Sequence, residues 1–349
     1  MPGGTAQRLR RATLRRLPKG AVRRLRYAKW ALVGAPAAPA KKAAPKPPPV
    51  ASSPAVYGLE PAPKPAPAPP PAIPPLRDFA PDDIARVATP VRRSRPVARA
   101  DFDTDWFQHW SGLLKAPYDV HRKLWEWCDI LQAAQDAGVL EPGRSACGFG
   151  VGVEPVPALL AHLGLSVMAT DAPVSDDSTK WADTNQHAAA KQDLVQQHLD
   201  VEAAQRLITF QPWDMRADLT GLGRYDLVWS SCVIEHLGSP AKGLDFVRRS
   251  LELLNPGGVA VHTTEMEASK HQVSRDYGSC AVYSPEDLQS FFQSLPPGYS
   301  YDATFGVPTE HEHDRFVDVP PYGFDPSHLK LVLRGSVTTS FSITIVKDR

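Results

Sequence analysis

Cys147-Gly148-Phe149-Gly150-Val151-Gly152-Val153-Glu154 is the stretch whose reading decides the fold. A short apolar strand runs into it, ending in glycines at 145–148, and a helix around 155–163 follows. Glycines at Gly148, Gly150 and Gly152 let the backbone turn tightly and approach a ligand at a helix N-terminus. The next strand, Leu165–Thr170, ends in Asp171, 23 residues after Gly148. A carboxylate there can accept both ribose hydroxyls of an adenosine-bearing cofactor. The dinucleotide fingerprint G-x-G-x-x-G would need glycine at position 153, where this chain has Val153; its spacing is G-x-G-x-G.

Strands and helices alternate outward from that loop. A polar helix is expected over roughly 180–205, and strands over 207–211, 225–231 and 258–264. Between the last two, Ser239-Pro240 starts a helix, Leu244, Val247, Leu251 and Leu254 form its buried face, and Asn255-Pro256-Gly257-Gly258 stops it. The run Ser336–Val346 reads as a last strand. This alternation predicts a doubly wound α/β domain, a mostly parallel sheet covered by helices on both faces.

Composition sets the limits of the folded part. Residues 36–75 hold 16 of the 36 prolines and have no apolar periodicity, so they are expected to be a solvated spacer. Residues 1–100 carry 20 Lys+Arg against four acids, a net of +16; the other 249 residues carry 19 basic and 34 acidic groups, a net of −15. Three parts follow: a basic arm over 1–35, a disordered Pro/Ala-rich linker over 36–100 ending in Arg92, Arg93, Arg95 and Arg99, and a folded domain over 101–349. Such an arm suits an anionic membrane surface, or serves only as a solubilising tail. Nucleic acid is the weaker partner, because the acidic body repels a polyanion. No apolar run approaches the roughly 20 residues of a membrane span, and no secretory signal opens the chain. Cys128, Cys147, Cys232 and Cys280 form no C-x-x-C pair. A cytoplasmic setting, peripheral to a membrane at most, is expected.

These residues resemble the Rossmann-like (class I) S-adenosylmethionine-dependent methyltransferases, of type-11-like pattern. Trp213-Asp214-Met215 looks like the family's adenine-side loop. Tyr225–Leu237, which contains Ser231-Cys232-Val233-Ile234-Glu235-His236, looks like its fourth strand and following loop, and Leu253–Gly258 like the turn before its fifth. The resemblance covers roughly residues 120–349 and implies a seven-stranded sheet whose last strand is antiparallel. It implies S-adenosyl-L-methionine as cofactor, held by Gly148, Gly150, Gly152, Glu154, Asp171, Asp214, Met215, Ser231 and Glu235. The family usually has an acid two residues before the first glycine; here that position is Ala146, and Glu154 is the replacement. The GFGVGVEP loop with the ATDAP strand end also looks like a bacterial subset associated with surface-glycan assembly.

The methyl acceptor implied is a hydroxyl of a small molecule or glycan, with His236 as general base. His271 is the alternative base, and His262 reads as a core histidine. Trp181 and Tyr283 are candidates to shape the acceptor pocket. His311-Glu312-His313-Asp314 lacks an i,i+4 His pair and reads as a solvated segment; no metal is expected. Trp106, Phe107, Trp110, Leu113, Leu124, Trp127, Ile130 and Leu131 read as packing residues. Two other functions compete: a nucleic-acid methyltransferase or binder, and a silent scaffold that keeps the fold. Val153 disfavours a nicotinamide oxidoreductase.

Overall fold

A computed structural model describes residues 71–173, 186–323 and 325–349. The basic arm and the linker as far as residue 70 lie outside the described residues. In chain order come β1 (Ile84–Arg86), α1 (Asp105–Leu114), α2 (Arg122–Asp136), β2 (Ser145–Phe149), α3 (Val156–His162), β3 (Ser166–Asp171), α4 (Val201–Leu207), β4 (Ile208–Pro212), β5 (Tyr225–Ser231), α5 (Pro240–Ser250) and β6 (Leu254–Glu267). There follow β7 (Arg275–Asp276), β8 (Ala281–Val282), α6 (Pro285–Gln293), β9 (Tyr299–Ala303), α7 (Glu312–Arg315), β10 (Lys330–Leu333) and β11 (Ser336–Lys347).

The main sheet runs β1-β9-β11-β6-β5-β2-β3-β4, with β10 paired to β11. Strands β4, β3, β2, β5 and β6 are parallel neighbours, and β11 is antiparallel to both β6 and β9. The fold is thus the expected Rossmann-like α/β class with an antiparallel last strand. The sheet has nine strands rather than seven, because β1 extends its edge and β10 forms a hairpin with β11. That hairpin turns through Arg334 (φ 50°) and Gly335 (φ 91°), a left-handed pair that matches the twist of its flanking strands.

Central strands are buried on both faces, which is why they read as continuous apolar runs. Ala146, Leu227 and Trp229 pack with Trp110, Trp125 and Ile130 of α1 and α2. Cys147, Phe149 and Val228 pack on the other side with Phe246 of α5 and Phe291 of α6. The chain reverses direction across the sheet at β2, which lies between β3 and β5. In such sheets ligands bind outside the carboxyl ends of the strands at that switch point.

Three boundaries differ from the sequence reading. The folded part starts well before Asp101. Ile84–Arg86 pairs with β9, Ser94 and Val97 are fully buried, and Val97 N–H donates to the Ser340 carbonyl. The patch expected to end a free linker is taken up by acids: Arg92 pairs with Asp129 at 2.8 Å, Arg93 with Asp302 at 2.9 Å, and Arg95 with Asp101 at 2.7 Å. Of the polar stretch 180–205, residues 180–185 lie outside the described residues. The rest holds only the short 3-10 turn Lys191–Leu194 and α4. There the Asp193 carboxylate accepts from the Ala189 and Ala190 N–H groups, and Asp200 caps α4 through Ala203 N–H. Aspartates that satisfy local N–H groups compete with a continuous helix. Finally, α5 ends at Ser250, and Asn255–Gly258 belongs to the start of β6.

A chain beginning at Asp101 should therefore melt more than about 5 °C below one beginning at residue 71, since it loses Val97, Ser94 and two buried-acid partners. Equal melting temperatures by circular dichroism would put the folded boundary back at 101.

Candidate functional site

Asp171 closes the switch-point crevice at its β3 side. Its Oδ2 accepts from Gly152 N–H at 3.1 Å and Ala188 N–H at 2.9 Å, and its Oδ1 from Ala172 N–H at 2.8 Å. Burial raises its pKa, and those three N–H groups oppose the rise. The carboxylate thus ties the glycine loop to the segment at 186–188 and still has lone-pair capacity for a ligand hydroxyl.

The glycines do more protein-on-protein work than the sequence reading gave them. A Cβ at Gly148 would sit 2.3 Å from the Trp229 indole, and one at Gly150 (φ 59°) 2.6 Å from Val233. At Gly152 (φ 51°) it would meet the Gln186 carbonyl at 2.4 Å. The loop turns as tightly as expected, but its glycines chiefly admit neighbouring elements.

Opposite Asp171, the first two turns of α2 bring in charges that sequence reasoning missed. Glu126 is fully buried. Its carboxylate accepts from Ser231 Oγ at 3.1 Å, Cys232 Sγ at 3.1 Å, Thr263 Oγ1 at 3.3 Å and Ser340 Oγ, and pairs with Lys123 Nζ at 3.0 Å. Burial alone would raise Glu126; Lys123, Arg122 and the hydrogen bonds overcome it and hold the acid at about 2. Lys123 Nζ also reaches Ser231 Oγ at 3.3 Å and Glu154 Oε1 at 3.6 Å. Glu154, just past the glycine loop, is buried; the Trp127 indole N–H and the Ser231 hydroxyl face its carboxylate, but Oε2 makes no close hydrogen bond. Burial, partly offset by Lys123, pushes Glu154 up to about 7. Ala146, two residues before the first glycine of the loop, is buried in the helix-facing core.

The loop after β5 supplies the remaining groups. Glu235 is 2 % exposed; its Oε2 accepts from Thr264 Oγ1 at 3.1 Å. Burial, reinforced by Glu265, pushes it up to about 8. Glu265 in turn pairs with Arg122. The His236 ring faces the Ser279 carbonyl through Nδ1 at 2.7 Å. A carbonyl only accepts, so Nδ1 carries the hydrogen and the lone pair is on Nε2, 4.0 Å from Glu235 Oε1. Burial lowers the pKa of His236. Ser231, Glu154, Glu235 and His236 thus belong to one polar cluster with Arg122, Lys123, Glu126 and Glu265 at the strand ends. The one sequence cue to the latter group was that charged residues interrupt the aromatic face of α2.

Other predicted residues fall elsewhere. Asp214 is partly exposed and clasped by Arg216 at 2.8 Å, which lowers its pKa. Met215 is buried in the core. Trp213, whose N–H donates to the Asp171 carbonyl at 2.7 Å, ties this loop to the site. His262 is a satisfied core residue: Nδ1 meets Ser230 Oγ at 2.8 Å and Nε2 meets Ser250 Oγ at 2.9 Å. His271 Nδ1 accepts from Arg275 Nη2 at 2.6 Å. Tyr283 does not line the crevice. It is fully buried behind the loop and donates to the Ile234 carbonyl at 3.2 Å, where Gly243 makes room for its hydroxyl. Trp181 lies outside the described residues. His311–Asp314 is not simply solvated: His311 caps α7, and Asp314 is buried and accepts from Arg99 N–H at 2.8 Å. A buried histidine pair, His121 stacked on His328 at 4.7 Å, was also missed; Asp318 Oδ2 accepts from His328 Nδ1 at 2.7 Å.

No protein-family model and no curated protein matches this chain. Among solved structures it is similar to TehB from Haemophilus influenzae, at 14% identity over 70% of this chain and 67% of that one, with a TM-score of 0.39. It is also similar to the CcbJ methyltransferase from Streptomyces caelestis, at 15% over 63% and 90%, TM-score 0.34. A coclaurine N-methyltransferase bound to N-methylheliamine and SAH matches at 14% over 50% and 49%, TM-score 0.34, so this chain spans about half of its length. Likeness at these values does not fix a reaction, and the functional reading rests on the site.

Glu154 sets a pH dependence. Its pKa is about 7 in the fold against 4.5 in the unfolded chain, so between those values the folded state holds a proton that the unfolded state has released. Stability therefore falls as pH rises across that window, by up to ~1.4 kcal/mol per unit. Glu154→Gln should flatten this slope in denaturant titrations between pH 4.5 and 7. An identical slope in the two proteins would show that Glu154 does not hold the proton.

Proposed function

We propose that this chain is an S-adenosylmethionine-dependent methyltransferase whose acceptor is a hydroxyl of a small molecule or glycan. The observation that carries the reading is the Lys123–Glu154 pair beside the glycine loop. An amino-acid end bears an ammonium and a carboxylate on one carbon, and this pair offers the complementary charges 3.6 Å apart. The buried Glu154 carboxylate has only Lys123, Ser231 and the Trp127 indole N–H around it, with Oε2 making no close hydrogen bond, and an ammonium would complete its shell. Glu154 thereby replaces the acid missing at Ala146. Asp171 is the acceptor for the ribose hydroxyls. Asp214, beside Trp213, is the acceptor for the adenine amino group once Arg216 shares it.

The cofactor supplies an activated methyl group, so the chain's own work is to align, exclude water and move one proton. Glu126 holds Lys123 and Ser231 in place beneath the crevice. The Ser279 carbonyl fixes the His236 ring so that Nε2 takes the acceptor's proton. Burial keeps the reacting groups in a medium where fixed charges act strongly.

Calorimetry with S-adenosylhomocysteine should show binding, and the same titration with NAD should not. Asp171→Ala should weaken binding by about 1–3 kcal/mol, the cost of unmatched hydroxyls. NAD binding in place of S-adenosylhomocysteine would overturn the cofactor assignment, and full affinity in Asp171→Ala would remove Asp171 from it.

On an accepted hydroxyl substrate, His236→Ala should lower turnover about 10²–10⁴-fold while leaving cofactor affinity within about twofold. Wild-type turnover in that variant would show that the base lies elsewhere.

A further inference from the structure

Beside the Lys123–Glu154 pair lies a cluster of which only Glu235 was assigned to the cofactor by the sequence resemblance. Cys232 Sγ, a Glu235 carboxylate oxygen and a Glu265 carboxylate oxygen all lie within 4.8 Å of one another. Two come from the loop after β5 and one from the end of β6. Cys232 is held in the left-handed region at φ 50°, costly for a residue with a side chain. Its N–H is fixed there by the Thr263 carbonyl and hydroxyl, both at 3.1 Å. The Glu265 side chain is buried, 4 % of the residue being exposed. Its Oε1 pairs with Arg122, and its Oε2 has no hydrogen-bond partner. A buried carboxylate with one oxygen lacking a hydrogen bond, next to a second carboxylate and a thiol, is a donor set that suits a cation.

We propose that Cys232, Glu235 and Glu265 form a site for one divalent cation, and that the cation is zinc. A thiolate with two carboxylates suits a borderline ion better than magnesium or calcium, which take oxygen ligands. Three protein ligands leave a coordination position open. Binding forms one zinc–sulfur and two zinc–oxygen bonds; the thiol proton, and any proton on the two carboxyls, leave to solvent. In the reaction proposed above, the open position takes the acceptor hydroxyl oxygen. The metal lowers that hydroxyl's pKa, and its proton passes to His236 Nε2, beside Glu235. This role rests on the hydroxyl-acceptor reading; the binding of the ion does not.

The test uses the untagged full chain, stripped with chelator and titrated with zinc chloride by calorimetry. One zinc per chain is expected, with affinity reduced at least about tenfold in Cys232→Ser and in Glu265→Gln. Cobalt in place of zinc should give a sulfur-to-metal charge-transfer absorption. Cys232→Ser should abolish it and Cys280→Ser should retain it, which holds even if Glu265→Gln folds poorly. Absence of stoichiometric zinc, unchanged affinity in Cys232→Ser, or tighter magnesium than zinc binding would overturn the proposal. S-adenosylhomocysteine titrated into the same sample separates the two readings: if it binds and zinc does not, only the metal site falls.

Discussion

The buried carboxylate of Glu126 is the constraint on which the crevice depends. A charge taken wholly out of water must be paired and hydrogen-bonded, or its desolvation cost outweighs the fold's margin. Glu126 meets that demand by drawing one cation from its own helix turn and four donors from three strands: Ser231 of β5 and Cys232 just after it, Thr263 of β6, and Ser340 of β11. The helix is thereby pinned to the carboxyl ends of the strands. An apolar contact there would tolerate a shift of an ångström; a five-partner carboxylate tolerates far less. The position of Lys123, and through it of Glu154, follows from this lock.

The strands that carry the lock change character along their length. β6 is apolar through Val259-Ala260-Val261 and then turns polar through His262, Thr263, Thr264 and Glu265, all buried. β11 places Ser340, Ser342 and Thr344 opposite Glu265, Thr263 and Val261. Hydroxyls within a sheet interior satisfy acids from the helix layer and from the loop after β5, and apolar residues at the opposite end supply the burial energy. One end of the sheet thus builds the core and the other builds a polar, low-dielectric crevice. The antiparallel β11 makes this possible: it enters from the opposite direction and delivers its serines to the same edge as the ends of the parallel strands.

Much of this was legible in the sequence, and the reasons for the gaps are specific. Glycines at 148, 150 and 152, the aspartate closing β3, and the alternation of strands and helices report local backbone needs, and each was readable. Glu126 and Lys123 were not. On α2 the apolar positions Leu124, Trp127, Ile130 and Leu131 define a packing stripe, and a glutamate between two tryptophans looks solvent-facing until β11, more than 200 residues later, supplies its donors. The same distance hid the start of the fold. Residues 84–98 sit in proline-rich, basic surroundings that resemble a tail; only β9 and β11 supply the partners that bury them. Tyr283 was misplaced for a related reason: its role depends on the absence of a side chain at Gly243, forty residues earlier.

Buried polar atoms without a hydrogen-bond partner occur in several parts of the described fold, Arg77 Nε, Asp129 Oδ2 and His313 Nδ1 among them, and four of them gather near the strand ends. Trp127 Nε1, Glu154 Oε2, Glu265 Oε2 and Trp213 Nε1 are all buried, lack hydrogen-bond partners, and belong to elements that meet at the strand ends. Native chains usually satisfy such groups, because each unmade bond costs about 1–3 kcal/mol. The same residues include Glu154, whose carboxyl burial pushes up to about 7, so that its charge is only partly compensated in the free protein. A ligand that brings an ammonium or a carboxylate to these atoms recovers a cost the free protein carries. The crevice is therefore the place where binding and stability are most tightly linked: whatever completes it must also stabilise the fold.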